Sequence, residues 1–139
     1  MKLVVDSNIF VSALDPRDSF HGECYPILKK ILTFEIEAIC PLLVLVEVTC
    51  VIRRRTNSEE LAIAVYKNLS RLPAIEWLDI TFEVAEGASI LGAKVGLRGG
   101  DAIILQVALQ YGVPLLTKDR EIKQRAPGGI LVLEPLEVY

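Results

Sequence analysis

The sequence predicts a doubly wound α/β fold, an open parallel sheet with helices packed on it. Three observations predict it. Short apolar runs alternate with longer helical patterns along the chain, the βαβα order of a parallel sheet. Strand-like runs such as Leu3-Val4-Val5 and VPLLT at 113–117 are continuously apolar, as strands buried on both faces are. The chain is also 52% hydrophobic, with a mean hydropathy of +0.42. That composition argues against disorder and suits a doubly covered sheet.

The elements follow in order. KLVV at 2–5 reads as a short buried strand and SNIFVSAL at 7–14 as a helix, which the turn-rich DPRDS closes. HGECYPILKKIL at 21–32 reads as a second helix, with Pro26 expected near its start or at a kink. IEAIC at 36–40 has strand character, and Pro41 fits the first turn of a helix over 41–55. Periodicity alone leaves that β-branched segment open between strand and helix. Its length favours helix, as do Arg53, Arg54 and Arg55 at its end, where cations complement the dipole.

Ser58 with Glu59 and Glu60 starts a helix reaching residue 72. IEWLDI at 75–80 is a third strand, followed by helices over 81–97 and 99–112. VPLLT is a fourth strand, DREIKQRA at 119–126 a short helix, and GILVLEP at 129–135 a last strand. No repeat or low-complexity linker interrupts the pattern, and 139 residues fit one domain over 1–139.

Several function classes lose support at once. The apolar stretch that ends at Glu47 is too short to span a bilayer. Asp6 interrupts the first apolar run, so no signal peptide is expected. Cys24, Cys40 and Cys50 are odd in number and lack metal-site spacing, which suits a reduced, cytoplasmic protein. The net charge of −3 does not advertise a nucleic-acid binder. Two stretches are basic nonetheless, Arg53 to Arg55 and Lys118, Arg120, Lys123 and Arg125. Each alone reads as a solvated helix end.

Four acids carry the chemical signal. Asp6 and Asp119 each follow a strand, Asp101 opens an apolar helix after Gly99-Gly100, and Glu47 is the only charged residue between Ala38 and Ile52. In a parallel sheet, ligands bind beyond the C-terminal strand ends, and all four can converge there. Each Asp alone is also a natural helix N-cap, worth about 1 kcal/mol. Glu47 alone could face solvent. Together, four carboxylates on one rim repel each other, and a divalent ion with oxygen ligands such as Mg²⁺ or Mn²⁺ resolves the repulsion. One or two such ions can support phosphodiester hydrolysis. Other chemistries are poorly supplied. His21 is the only histidine, and its pairing with Cys24 reads as a surface or half-buried helix pair rather than a dyad or zinc site. Neither a Walker A sequence nor GxGxxG occurs.

The set VVDSNIFVSAL, an isolated Glu in an apolar helix, RGGDAIILQVAL and LLTKDREI resembles the PIN domain. It is most similar to the small VapC-type PIN proteins, toxins of prokaryotic toxin–antitoxin pairs. The resemblance covers essentially the whole chain. It implies a three-layer α/β/α fold with a central parallel sheet of four to five strands. It also implies an Mg²⁺- or Mn²⁺-dependent endoribonuclease, a homodimer and a cognate antitoxin. Carried over by position, the metal-binding and catalytic acids fall on Asp6, Glu47, Asp101 and Asp119. Asn8 and Thr117 match supporting polar positions. Ser7 stands where Thr is commoner and keeps the hydroxyl. Arg98, Lys118 and Arg120 neighbour the acids and are candidate RNA phosphate contacts. A PIN-fold RNA-processing nuclease without an antitoxin and a catalytically silent PIN-like binding module are the alternatives. A receiver domain would carry paired acids after its first strand, and a haloacid-dehalogenase-type phosphatase Asp-x-Asp. Asp6-Ser7-Asn8 fits neither.

Overall fold

The apolar runs pair into one sheet. The computed structural model describes residues 1–139. Its strands are β1 (Lys2–Val5), β2 (Glu37–Pro41), β3 (Ile75–Leu78), β4 (Leu115–Leu116) and β5 (Val132–Leu133), in the order β3-β2-β1-β4-β5. Every neighbouring pair is parallel. The helices are α1 (Ser7–Leu14), α2 (His21–Leu32), α3 (Leu42–Thr56), α4 (Glu59–Ser70), α5 (Phe82–Val95), α6 (Gly99–Tyr111) and α7 (Arg120–Arg125). A 3-10 turn, Pro135–Glu137, follows β5.

The layers follow from connection handedness. The crossovers β1 to β2 and β2 to β3 step in one direction, and those from β3 to β4 and β4 to β5 step in the other. Right-handed crossovers put helices of opposite steps on opposite faces. Accordingly α1 packs on α2 and α3, and α3 on α4, while α5 and α6 form a separate pair with α6 against β1, β2 and β4. The result is three layers, α/β/α. Leu3, Val4 and Val5 are fully buried, and one cluster of 33 buried apolar residues joins sheet and helices. Full burial stabilises each such side chain by about 1.5–3 kcal/mol. No helix is long and apolar enough to cross a membrane.

The ambiguous segment after Pro41 is helical, as its length indicated, and Pro41 itself ends β2 opposite Leu78 and caps the helix. Pro26 lies inside α2 rather than at its start. It has no N–H to offer the Gly22 carbonyl four residues back.

The later strands are shorter than the apolar runs suggest. β4 covers only Leu115 and Leu116, although Val4 N–H still donates to Pro114 O at 2.9 Å. β5 stops at Leu133, because Glu134 caps the 3-10 turn that begins at Pro135, and proline cannot donate to a ladder. The expectation for Asp101 needs a correction too. Arg98 is the N-cap of α6, so Asp101 is the third helical residue and caps nothing.

Candidate active site

The sheet order creates one switch point. Connections leave β1 toward β2 and β4 toward β5, so a crevice opens between the C-terminal ends of β1 and β4. Such a crevice is where open α/β sheets present ligands. Asp6 follows β1 directly, and Thr117 follows β4.

Asp6 is only 4% exposed, yet both of its oxygens are satisfied. Oδ1 accepts from Ser7 N at 2.7 Å and from Ser7 Oγ at 3.3 Å. Oδ2 accepts from Thr117 Oγ1 at 2.8 Å and from Asn8 Nδ2 at 3.2 Å. Asn8 also donates to Thr117 Oγ1 at 3.1 Å, and its Oδ1 accepts from Lys118 N at 3.2 Å. Thr117 Oγ1 in turn accepts from Asp119 N at 3.0 Å. Ser7, Asn8 and Thr117 thus lace the end of β1 to the end of β4. Asp119 caps α7 through Glu121 N at 2.9 Å, which leaves its second oxygen uncommitted to that cap.

Glu47 comes from α3 and Asp101 from the first turn of α6. Glu47 Oε2 lies 3.5 Å from where a side chain on Gly100 would begin, so this carboxylate sits against the start of α6. Glu47 Oε1 is buried and has no hydrogen-bond partner.

Electrostatics join the four. Burial pushes the Asp6 carboxyl above its ordinary range and the Asp119 charge adds to that, while hydrogen bonds from Thr117 and Ser7 oppose both. Glu47 is raised by burial first, then by Asp6 and Asp101, with the Ser7 hydroxyl offsetting part. Asp101 is pushed up to about 6 by burial, then by Asp6 and Asp119, against the pull of Arg98. A carboxylate raised by neighbouring carboxylates is one whose charge lacks a cation. As the side chains stand, no three His, Cys, Asp or Glu residues close around one point. The acids lie near enough to feel one another's charge without forming a tight chelate.

The donor set itself suits a hard divalent ion. It consists of carboxylate oxygens, with one buried oxygen of Glu47 still unpartnered. Mg²⁺ and Mn²⁺ accept such sets and keep waters of their own, so they need few protein ligands in tight register.

The basic candidates divide. Arg98 is exposed at the start of α6 and close enough to lower the Asp101 carboxyl. Lys118 turns away from the acids, with its Nζ 3.9 Å from Asp18 and 4.6 Å from the centre of the Phe20 ring. Arg120 is exposed and pairs with Glu134 at 3.5 Å.

Sequence reading missed the destination of Arg55. It reaches back to Asp15 at 3.0 Å and Asp18 at 2.8 Å, tying α3 to the turn after α1. The acidic DPRDS turn was the available signal. His21 Nδ1 engages Ser12 O at 3.0 Å, and its ring stacks on Tyr25.

Comparison with known proteins agrees with this architecture. No curated protein matches the chain. Among solved structures, the chain is similar to VapBC2 from Rickettsia felis bound to a DNA fragment from its promoter. The identity is 15%, the TM-score 0.72, and 96% of this chain and 98% of that one are covered. It is similar to a toxin–antitoxin complex from Klebsiella pneumoniae at 22% identity and TM-score 0.70, covering 97% and 98% of the two chains. Mycobacterium tuberculosis VapC20, a Sarcin-Ricin loop cleaving toxin, aligns at 17% identity and TM-score 0.74, covering 93% and 98%. At these identities the likeness speaks for the fold. The family model for the PIN domain matches residues 3–127, a span that takes in the sheet from β1 to β4 and all four acids, and on that match this chain belongs to the PIN domain family.

Proposed function

We propose that the protein is a metal-dependent endoribonuclease of VapC type, the toxin of a toxin–antitoxin pair. The observation that carries this reading is the set of acids on one rim of the sheet. Burial raises Asp6, Glu47 and Asp101, and neighbouring acids add to it: Asp119 at Asp6, Asp6 and Asp101 at Glu47, Asp6 and Asp119 at Asp101. Family membership and the likeness to toxin–antitoxin structures support it.

In this reading Asp6, Glu47, Asp101 and Asp119 would hold one or two Mg²⁺ or Mn²⁺ ions. When bound, the ion supplies Lewis acidity for attack of water on an RNA phosphodiester. The chain's own residues do the rest. Ser7, Asn8 and Thr117 fix the Asp6 carboxylate through the hydrogen bonds described, so its lone pairs keep one direction. The unpartnered Oε1 of Glu47 is the oxygen most ready to accept a ligand. Arg98, exposed at the α6 N-terminus, is the best placed of the three basic candidates for a phosphate. Arg120, exposed, suits a contact further along the RNA, whereas Lys118 would first have to leave Asp18 and Phe20.

The whole chain, 1–139, acts in this reading as one PIN-like domain. A cognate antitoxin is the expected protein partner, by analogy with the toxin–antitoxin complexes it resembles. A homodimer is the expected assembly in this reading, and large apolar side chains such as Phe82 at 84% and Val46 at 59% are exposed and available to it. Three free thiols suit a reducing, cytoplasmic setting.

The test is cleavage of a mixed-sequence fluorogenic RNA by the purified chain with Mn²⁺, with Mg²⁺ and with EDTA, beside Asp6→Asn. Metal-dependent cleavage absent from the variant supports the reading. Equal cleavage by both preparations, or none by the wild type with either ion, contradicts it.

A further inference from the structure

α7 is a short element with one buried side chain, Ile122. It has six residues, and the strands on either side of it have two each. Yet it follows directly on Asp119, which caps it. What holds it in place therefore bears on where Asp119 stands.

Its last residue, Arg125, ties it to α5. One guanidinium nitrogen, Nη1, donates to Val95 O at 3.1 Å and to Gly96 O at 3.1 Å. These carbonyls lie at the C-terminus of α5, where orphan acceptors and the negative end of the helix dipole both favour a cation. Arg125 Nε also pairs with Glu121 at 3.2 Å, one turn back on α7, which aims the fork. That surface pair alone contributes little. Residue 96 is adapted twice over. Its φ of +75° is a left-handed conformation that favours glycine, and a Cβ there would stand 2.7 Å from Arg125 Nη1. Gly96 begins the short turn into α6, which starts at Gly99 and carries Asp101 in its first turn.

We propose that Arg125 is a positioning residue that sets Asp119 against Asp101 and thereby the affinity of the acid site for a divalent cation. The clasp joins the helix capped by one acid to the turn that leads into the other. Thr117 Oγ1, accepting from Asp119 N at 3.0 Å, and the buried Ile122 hold the start of α7, and the clasp holds its other end against the turn into α6. The inference rests on the metal reading above.

The test is calorimetric titration of the full chain with Mn²⁺, for wild type, Arg125→Ala and Arg125→Lys, with thermal melts of each in EDTA. Loss of a group that orients ligands typically costs about 10–100-fold in metal affinity. Arg125→Ala is expected to weaken Mn²⁺ binding about tenfold or more, and Arg125→Lys by less. Should Arg125→Ala fail to fold, Gly96→Ala, which displaces the guanidinium from the other side, is expected to give the same direction. Wild-type affinity in a folded Arg125→Ala or Gly96→Ala, with only the melting temperature lowered, makes the clasp a structural latch and overturns the proposal. Absence of Mn²⁺ binding by the wild type overturns the metal reading itself, and this inference with it.

Discussion

Thr117 and Asp6 stand 111 residues apart in the chain, and the Thr117 hydroxyl donates to Asp6 Oδ2 at 2.8 Å. That bond crosses the switch point of the sheet. It also leaves the same hydroxyl oxygen free to accept from Asp119 N at 3.0 Å. Thr117→Val keeps the shape and deletes both, along with the bond that Asn8 Nδ2 donates to Thr117 Oγ1 at 3.1 Å. A hydrogen bond to a charged group contributes about 1.5–3 kcal/mol, so urea unfolding is expected to show a loss of that order. Mn²⁺ affinity is expected to fall as well, because Asp6 loses a fixed direction.

Glu47 offers a case in which stability and function part. Its carboxylate is half-buried, repelled by Asp6 and Asp101, and leaves one oxygen unpartnered. Glu47→Gln removes the charge at nearly constant volume. In EDTA the variant is expected to melt higher than wild type. Cleavage and Mn²⁺ binding are expected to fall by about 100-fold or more, the trade-off of a strained functional site. A lower melting temperature in EDTA would contradict the repulsion argument.

Two carboxyls with opposite shifts separate on a pH scale. Asp101 is raised from 3.8 to about 6, so between those values the folded chain binds more protons than the unfolded one. Stability from this group therefore falls as pH rises through that window, and the penalty is fully present above about 6. Burial pushes Asp18 up as well, but hydrogen bonds from Arg55 and the Phe20 N–H overcome it and hold the carboxyl at about 2. Its contribution is present above 3.8 and is lost as pH falls toward about 2. Thermal melts in EDTA across this range are expected to show Asp101→Asn gaining on wild type between pH 4 and 6. Asp18→Asn is expected to lose its deficit only below about pH 4.

Metal addition is expected to reverse the first of these effects. A ligand that binds only the folded chain stabilises it by about 2.7 kcal/mol at a hundred times its dissociation constant. Saturating Mn²⁺ is therefore expected to raise the wild-type melting temperature by several degrees at pH 7 and to leave Asp6→Asn unmoved. An equal rise in both would place the ion elsewhere.

Much of this architecture was legible in the residues. Leu3-Val4-Val5 can be little but a buried strand, and Asp6 immediately after it is an acid at a strand's end. Ser58 and Thr81 cap α4 and α5 through Leu61 N and Val84 N, as small hydroxyl residues at helix starts do. The illegible features depend on contacts distant in sequence. β4 and β5 shrink to two residues because pairing, not apolar character, limits a strand. Asp101 sits inside its helix because Arg98 adopts the extended backbone of the cap, a choice that GLRGGD does not announce. Lys118 and Arg55 turn toward Asp18, and a side chain's direction is not written in its spacing. Arg125 and Gly96 read as a basic helix end and a helix stop. Only their meeting across 29 residues makes them a clasp.

The acids' role is best settled by locating the ion. Crystals of the chain soaked in Mn²⁺ are expected to show an anomalous difference peak in the crevice between β1 and β4. It should lie about 2.1 Å from carboxylate oxygens of at least two among Asp6, Glu47, Asp101 and Asp119, one of them Asp6. A peak elsewhere, or an empty crevice at saturating Mn²⁺, would contradict the account.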